Sequence, residues 1–113
     1  MNWKTNLKTR NSWKLKVIIE ALKAYNPEKI ILFGSSARGE EDEYSDIDLV
    51  IIKKTQDRFL QRLKKAALLI KEPMAVDLFV YTPEEFAQML DEENSFAQIV
   101  IKEGKIIYEK SDR

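Results

Sequence analysis

Neither cysteine nor histidine occurs anywhere in this 113-residue chain. Without cysteine there is no disulfide, no thiolate nucleophile and no Cys-based zinc site. Without histidine, a general base has to be a carboxylate, a lysine, a tyrosine or the substrate itself. Any metal has to be held by oxygen, which favours magnesium or manganese over zinc. Long hydrophobic runs are missing too. The longest, Ala66 to Ile70, falls far short of the roughly 20 residues that span a bilayer. The opening MNWKTNLKTR lacks the apolar stretch of a signal peptide, so a cytoplasmic protein without membrane contact is expected. An excess of charge of one sign is also absent: Lys+Arg 19 balances Asp+Glu 19. That balance argues against direct nucleic-acid binding as the main task.

What is present is a chain of ordinary globular composition, 44% hydrophobic and 34% charged. Its length suits one domain over residues 1–113 with one modest core, and is expected to leave no room for a separate acceptor domain. The charges are unevenly placed. Residues 1–39 carry eight Lys/Arg against two acids, and residues 40–50 carry six acids and no base. Residues 1–11 are expected to form a loose, solvated basic arm.

Apolar spacing outlines alternating helices and strands. Leu15, Ile18, Ile19 and Leu22 mark one face of a helix opening near Ser12 and stopped by Asn26-Pro27. Lys29 to Phe33 reads as a wholly apolar strand ending at Gly34. A helical turn from Ser35 to Gly39 and a polar loop over residues 40–45 follow. Residues 46–52 form a second strand. A helix over about residues 56–71 has Phe59, Leu63, Ala66, Ala67 and Ile70 inside, while Leu60, Leu68 and Leu69 widen its stripe enough to offer a partner surface. Residues 75–81 form a third strand. Thr82-Pro83-Glu84-Glu85 is a capping box with proline in the first turn, opening a helix that carries Phe86, Met89 and Leu90. Ser95 with Gln98 is expected to open the last helix, ended by Gly104, and Lys105 to Tyr108 a final strand. The class is α/β: a sheet of about four strands flanked by helices.

Two features carry chemistry. Alternation along a strand points Asp46 and Asp48 the same way, about 7 Å apart by strand rise, and leaves Ile47, Leu49 and Ile51 for the core. Asp77 interrupts the next apolar strand. An acid there is costly unless it is paired or binds a metal. If the two strands are neighbours, three carboxylates converge, an arrangement that makes sense around a divalent cation. Asp77 is also the best-placed base for an incoming hydroxyl. Before this, Gly34 permits a sharp turn and close approach. Ser35 and Ser36 offer N–H groups and hydroxyls at a helix start, a natural phosphate site. Arg38, one turn on, can reach the same phosphates.

Together, Gly34-Ser35-x-Ala37-Arg38-Gly39, five residues, then Ser45-Asp46-x-Asp48-Leu49 resembles the signature of the polymerase-beta-type nucleotidyltransferase superfamily, and most its minimal nucleotidyltransferase branch. The resemblance covers nearly the whole chain. It implies a mixed sheet with helices and a nucleotide, ATP by default, held at the Gly-Ser turn. It implies two Mg2+ ions on Asp46, Asp48 and Asp77. It further implies a separately encoded, helical HEPN-type partner in a hetero-oligomer. In such pairs the partner is an RNA-cleaving toxin, and the minimal enzyme is the antitoxin that transfers AMP to a toxin tyrosine. Two other functions remain open on the same residues: a small-molecule, antibiotic-type nucleotidyltransferase, and an antitoxin that neutralises its partner by contact alone.

Overall fold

The computed structural model describes residues 12–34, 37, 46–72 and 74–111. The expected positions of Ser35, Ser36, Arg38, Gly39, the loop over 40–45 and the basic arm lie outside the described residues. Helix α1 (Ser12–Leu22) buries Leu15, Ile18, Ile19 and Leu22, the face its spacing marks. A short 3-10 turn follows, and Asn26 closes it in the left-handed region at φ 57°, its N–H donating to the Lys23 carbonyl. Strand β1 spans Lys29–Phe33 and β2 spans Ile47–Ile52. Helix α2 (Phe59–Leu69) leads to β3 (Val76–Tyr81). Helix α3 (Pro83–Asp91) opens on the expected box: Glu85 N–H donates to Thr82 Oγ1 at 3.1 Å, and Thr82 N–H to Glu85 Oε1 at 2.9 Å. Helix α4 (Ser95–Glu103) is followed by β4 (Lys105–Glu109). The cap of α4 differs from expectation. Asn94 supplies it, its Oδ1 accepting from Ala97 N–H at 3.0 Å, because the amide oxygen reaches the third helical N–H that Ser95, already inside the helix, cannot reach.

The sheet order is β3-β2-β1-β4. β1 pairs antiparallel with β2 and with β4, while β2 and β3 run parallel. A parallel pair needs a crossover, and α2 supplies it. Both faces are covered, which is why the strands read as apolar runs. On one face Ile30, Leu32, Ile47, Leu49, Ile51 and Val80 pack against α1 and Ala66 of α2. On the other, Ile31, Phe33, Val50 and Ile52 pack against Phe86, Ala97 and Val100 of α3 and α4. At the end of α4, Gly104 lets backbone approach backbone: a Cβ there would run into the Val100 carbonyl and the Ile31 side chain. No helix among the described residues is long and apolar enough to cross a membrane.

The inner face of α2 departs from its expected pattern. Phe59 is 40% exposed and Ala67 is exposed, whereas Arg62 is only 6% exposed. The guanidinium forms a two-pronged pair with Glu85, Nη1 to Oε1 at 2.7 Å and Nη2 to Oε2 at 3.0 Å. Arg62 also donates from Nε to the Asp57 carbonyl at 2.9 Å and from Nη1 to the Val80 carbonyl at 3.2 Å. One side chain thus ties the β2–α2 loop, α2, the end of β3 and the start of α3. The Arg62 hydrogen bond is the main influence holding the Glu85 carboxyl below its usual range, with burial opposing it. A carboxyl lowered in the folded state adds stability that is present above its unfolded pKa and is lost as pH falls through the folded one. Urea midpoints should therefore drop between about pH 5 and pH 3, and drop less in Glu85→Gln. Arg62→Ala should cost about 2 kcal/mol, since two backbone carbonyls lose their donor. Equal acid sensitivity in wild type and Glu85→Gln would count against this role for the pair.

Candidate active site

The carboxylates follow from strand register. Asp48 lies opposite Phe33 of β1 on one side and opposite Asp77 of β3 on the other. Alternation puts Asp46, two residues earlier, on the same face. That face is the one shared by Phe33, Phe79 and Tyr81, and Asp48 and Asp77 lie on it where β1 ends and β2 and β3 begin. Ile47, Leu49 and Ile51 point to the opposite face and are buried there. Asp48 is half-buried, and Asp46 and Asp77 are exposed. Exposure alters one expectation. Asp77 sits on an edge strand where water solvates it, so burial does not oblige it to find a cation.

Gly34 is built against this site. Its φ of 78° lies in the left-handed region that favours glycine, and a Cβ on it would collide with the Asp48 carboxylate. The turn and the Asp48 carboxylate are therefore packed directly against one another. Ala37, the described residue of the following segment, is helical and buried in the α1 cluster. Beside the acids lies an aromatic group that periodicity alone does not reveal. Phe33 and Phe96 meet edge to face at 5.3 Å, Phe79 and Phe96 lie 5.1 Å apart, and Phe33 and Phe79 5.8 Å apart. Finding that group in advance needs the register that sets Phe33 beside Asp48 and Phe79 two residues after Asp77. Rings packed this way form an apolar flank beside the acids.

Among the described residues no three acids are drawn together into a compact metal cage. The donor set still fits a hard divalent cation: oxygen only, with two acids opposite one another in adjacent strands and Asp46 two residues before one of them. A glycine cradle pressed against one of them adds to that fit.

Comparison with known proteins agrees with this geometry. Residues 16–113 match the model of the family described as polymerase beta, nucleotidyltransferase. A protein of Methanocaldococcus jannaschii, named as a candidate protein adenylyltransferase, is 34% identical over 97 residues, 83% of this chain and 94% of that one. A crystal structure described as a candidate nucleotidyltransferase from Sulfolobus solfataricus shares the fold at a TM-score of 0.61 and 18% identity, over 97% of this chain and 86% of that one. A toxin–antitoxin crystal structure with AMP-PNP aligns at a TM-score of 0.55 and 25% identity, over 85% of this chain and 73% of that one. Fold and site define a nucleotidyltransferase domain. The chain belongs to the polymerase-beta-type nucleotidyltransferase family.

Gly34→Ala should destabilise the protein by about 1–3 kcal/mol through backbone strain and the clash with Asp48. Adding Asp48→Ala should return part of that loss by removing the atoms struck. Thermal unfolding of the two single variants and the double variant checks this, and strict additivity would rule the contact out.

Proposed function

We propose that this chain is a protein adenylyltransferase that acts in the cytoplasm as the antitoxin of a helical HEPN-type partner, moving AMP from ATP to a partner tyrosine. The observation that carries this reading is the 34% identity, across 94% of its length, to the candidate protein adenylyltransferase of Methanocaldococcus jannaschii. The likeness to a toxin–antitoxin assembly that holds AMP-PNP supports the partner and the nucleotide. In this scheme Gly34, Ser35, Ser36 and Arg38 receive the triphosphate. Asp46, Asp48 and Asp77 would hold Mg2+, two ions on the family pattern, and bound magnesium would neutralise triphosphate charge and favour departure of pyrophosphate. Asp77 takes the proton of the acceptor hydroxyl. The acceptor oxygen bonds to the α-phosphorus, the bond between that phosphorus and the bridging oxygen breaks, and pyrophosphate leaves. The product is an AMP–protein phosphodiester.

A contact-only antitoxin is the second reading. Leu60 and Leu68, 76% and 68% exposed on α2, favour it as a docking surface. One experiment separates the two. The purified protein is incubated with α-labelled ATP and magnesium in a lysate of its source, beside Asp46→Asn with Asp48→Asn. A labelled protein band is expected, reduced about a hundredfold or more in the double variant, and abolished by a chelator until magnesium is restored. The labelled residue is then located by mass spectrometry. Partner neutralisation that persists unlabelled in the double variant would favour contact alone.

A further inference from the structure

The sheet has two edges of different character. On β4, pairing with β1 is interrupted by a bulge between Ile30 and Ile31, and Lys105 and Glu109 stand at the strand ends. Bulges and charges are how an edge is protected from pairing with another chain. β3 has no bulge, and its one charge is Asp77, which belongs to the carboxylate group rather than to the strand ends. Its residues VDLFVY contain no lysine, arginine, proline or glycine, and they pair with β2 in unbroken register from Ile47↔Val76 to Ile52↔Tyr81.

The direction of its backbone groups can be assigned. Ile47 N–H donates to the Ala75 carbonyl and Lys53 N–H to the Tyr81 carbonyl, each at 2.9 Å. Residues 75, 77, 79 and 81 therefore turn their N–H and C=O toward β2, and 76, 78 and 80 turn theirs outward. The Val80 carbonyl confirms this parity, since Arg62 caps it from outside at 3.2 Å. Val76 and Leu78 are left with outward-facing groups that have no partner among the described residues.

We propose that this edge receives an extended segment of the acceptor protein as a fifth strand, which delivers a hydroxyl side chain beside Asp77. The proposal rests on the protein-adenylyltransferase reading. An added strand would lie about 4.8 Å from β3. Its residue opposite Asp77 would project on the face that carries the three acids, with its hydroxyl next to the proposed base. Its neighbour two residues along would lie beside the half-buried Phe79, so an apolar or aromatic residue is favoured at that spacing from the acceptor. Main-chain bonds would supply affinity and these two positions selectivity. A second copy of the chain fits less well. Two-fold antiparallel pairing of β3 about Leu78 would set Val76 against Val80, whose carbonyl Arg62 already occupies.

The test is Leu78→Pro, which removes an outward donor and leaves the β2 ladder intact. Acceptor KM is measured with the protein found labelled in the lysate, and ATP affinity by calorimetry. The expected result is a rise in acceptor KM of about tenfold, the weight of one or two backbone hydrogen bonds, against a change of about twofold or less in ATP affinity. Unchanged acceptor KM overturns the proposal. So does a wild-type dimer that Leu78→Pro dissolves without affecting acceptor KM, which would assign the edge to a second copy. Because Leu78 also packs against the α1 cluster, a second probe uses the wild type alone. A short peptide around the labelled residue is N-methylated on one set of alternate amides or on the other. One set should block labelling and the other spare it, and equal labelling overturns the proposal. If the wild type labels no protein at all, the protein-adenylyltransferase reading falls and takes this proposal with it. Labelling indifferent to both probes removes the edge proposal alone.

Discussion

Parallel pairing of β2 with β3 is the constraint on which the proposed chemistry of this molecule depends. With the two strands in register, Asp48 and Asp77 must be neighbours on one face. A slip of one residue would turn Asp77 toward the opposite face, among the aliphatic side chains under α1 and α2. The register is held by the residues that follow the acids along each strand: Leu49, Ile51 and Val80 are fully buried on one face and Val50 on the other. The apolar core and the carboxylate site are therefore not separate achievements of the fold. Burying the core in its one good register also aims the acids.

A parallel pair imposes a long connection, and the connection has to be pinned. Arg62 does this from the first turn of α2, with four hydrogen bonds from its guanidinium to a carboxylate and two carbonyls. Lysine could not replace it, because a single ammonium cannot present a planar fork to Glu85 while reaching back to Asp57. Glu85 in turn belongs to the capping box of α3. The crossover helix, the end of β3 and the start of the next helix are thus fixed by one shared carboxylate.

Much of this was legible in the sequence because it is local. β1 ends where Gly34 follows Phe33, the capping box at Thr82 announces α3, and the core face of α1 is visible in its spacing. Asp46 and Asp48 share a face by alternation alone. Elements that depend on distant partners were not legible. Amphipathic reasoning sends Arg62 to solvent, since nothing nearby predicts that Glu85, 23 residues away, will meet it. With Arg62 inside, the helix is rotated, and Phe59 and Ala67 move outward from their expected places. That Asp77 lies beside Asp48 was legible, but its surroundings were not, because apolar neighbours in sequence imply a central strand while the topology makes β3 an edge. The aromatic flank of Phe33, Phe79 and Phe96 escaped for a related reason: it joins two strands and a helix whose proximity only the assembled sheet defines.

Gly104 sits at the far end of α4 from that flank. Its missing side chain lets the last turn of the helix rest directly on Ile31 of β1. Phe96 occupies the opposite end of the same helix and leans on Phe33, the strand residue beside Asp48. α4 is therefore a beam seated at one end where Gly104 meets the Ile31 side chain and bearing at the other on the aromatic flank of the candidate site. Its nine residues make it about 14 Å long. Thickening the seat by a single methyl group would tilt the beam, and the movement would emerge at the aromatic wall, so a change more than a dozen ångströms away could loosen the site without touching an acid.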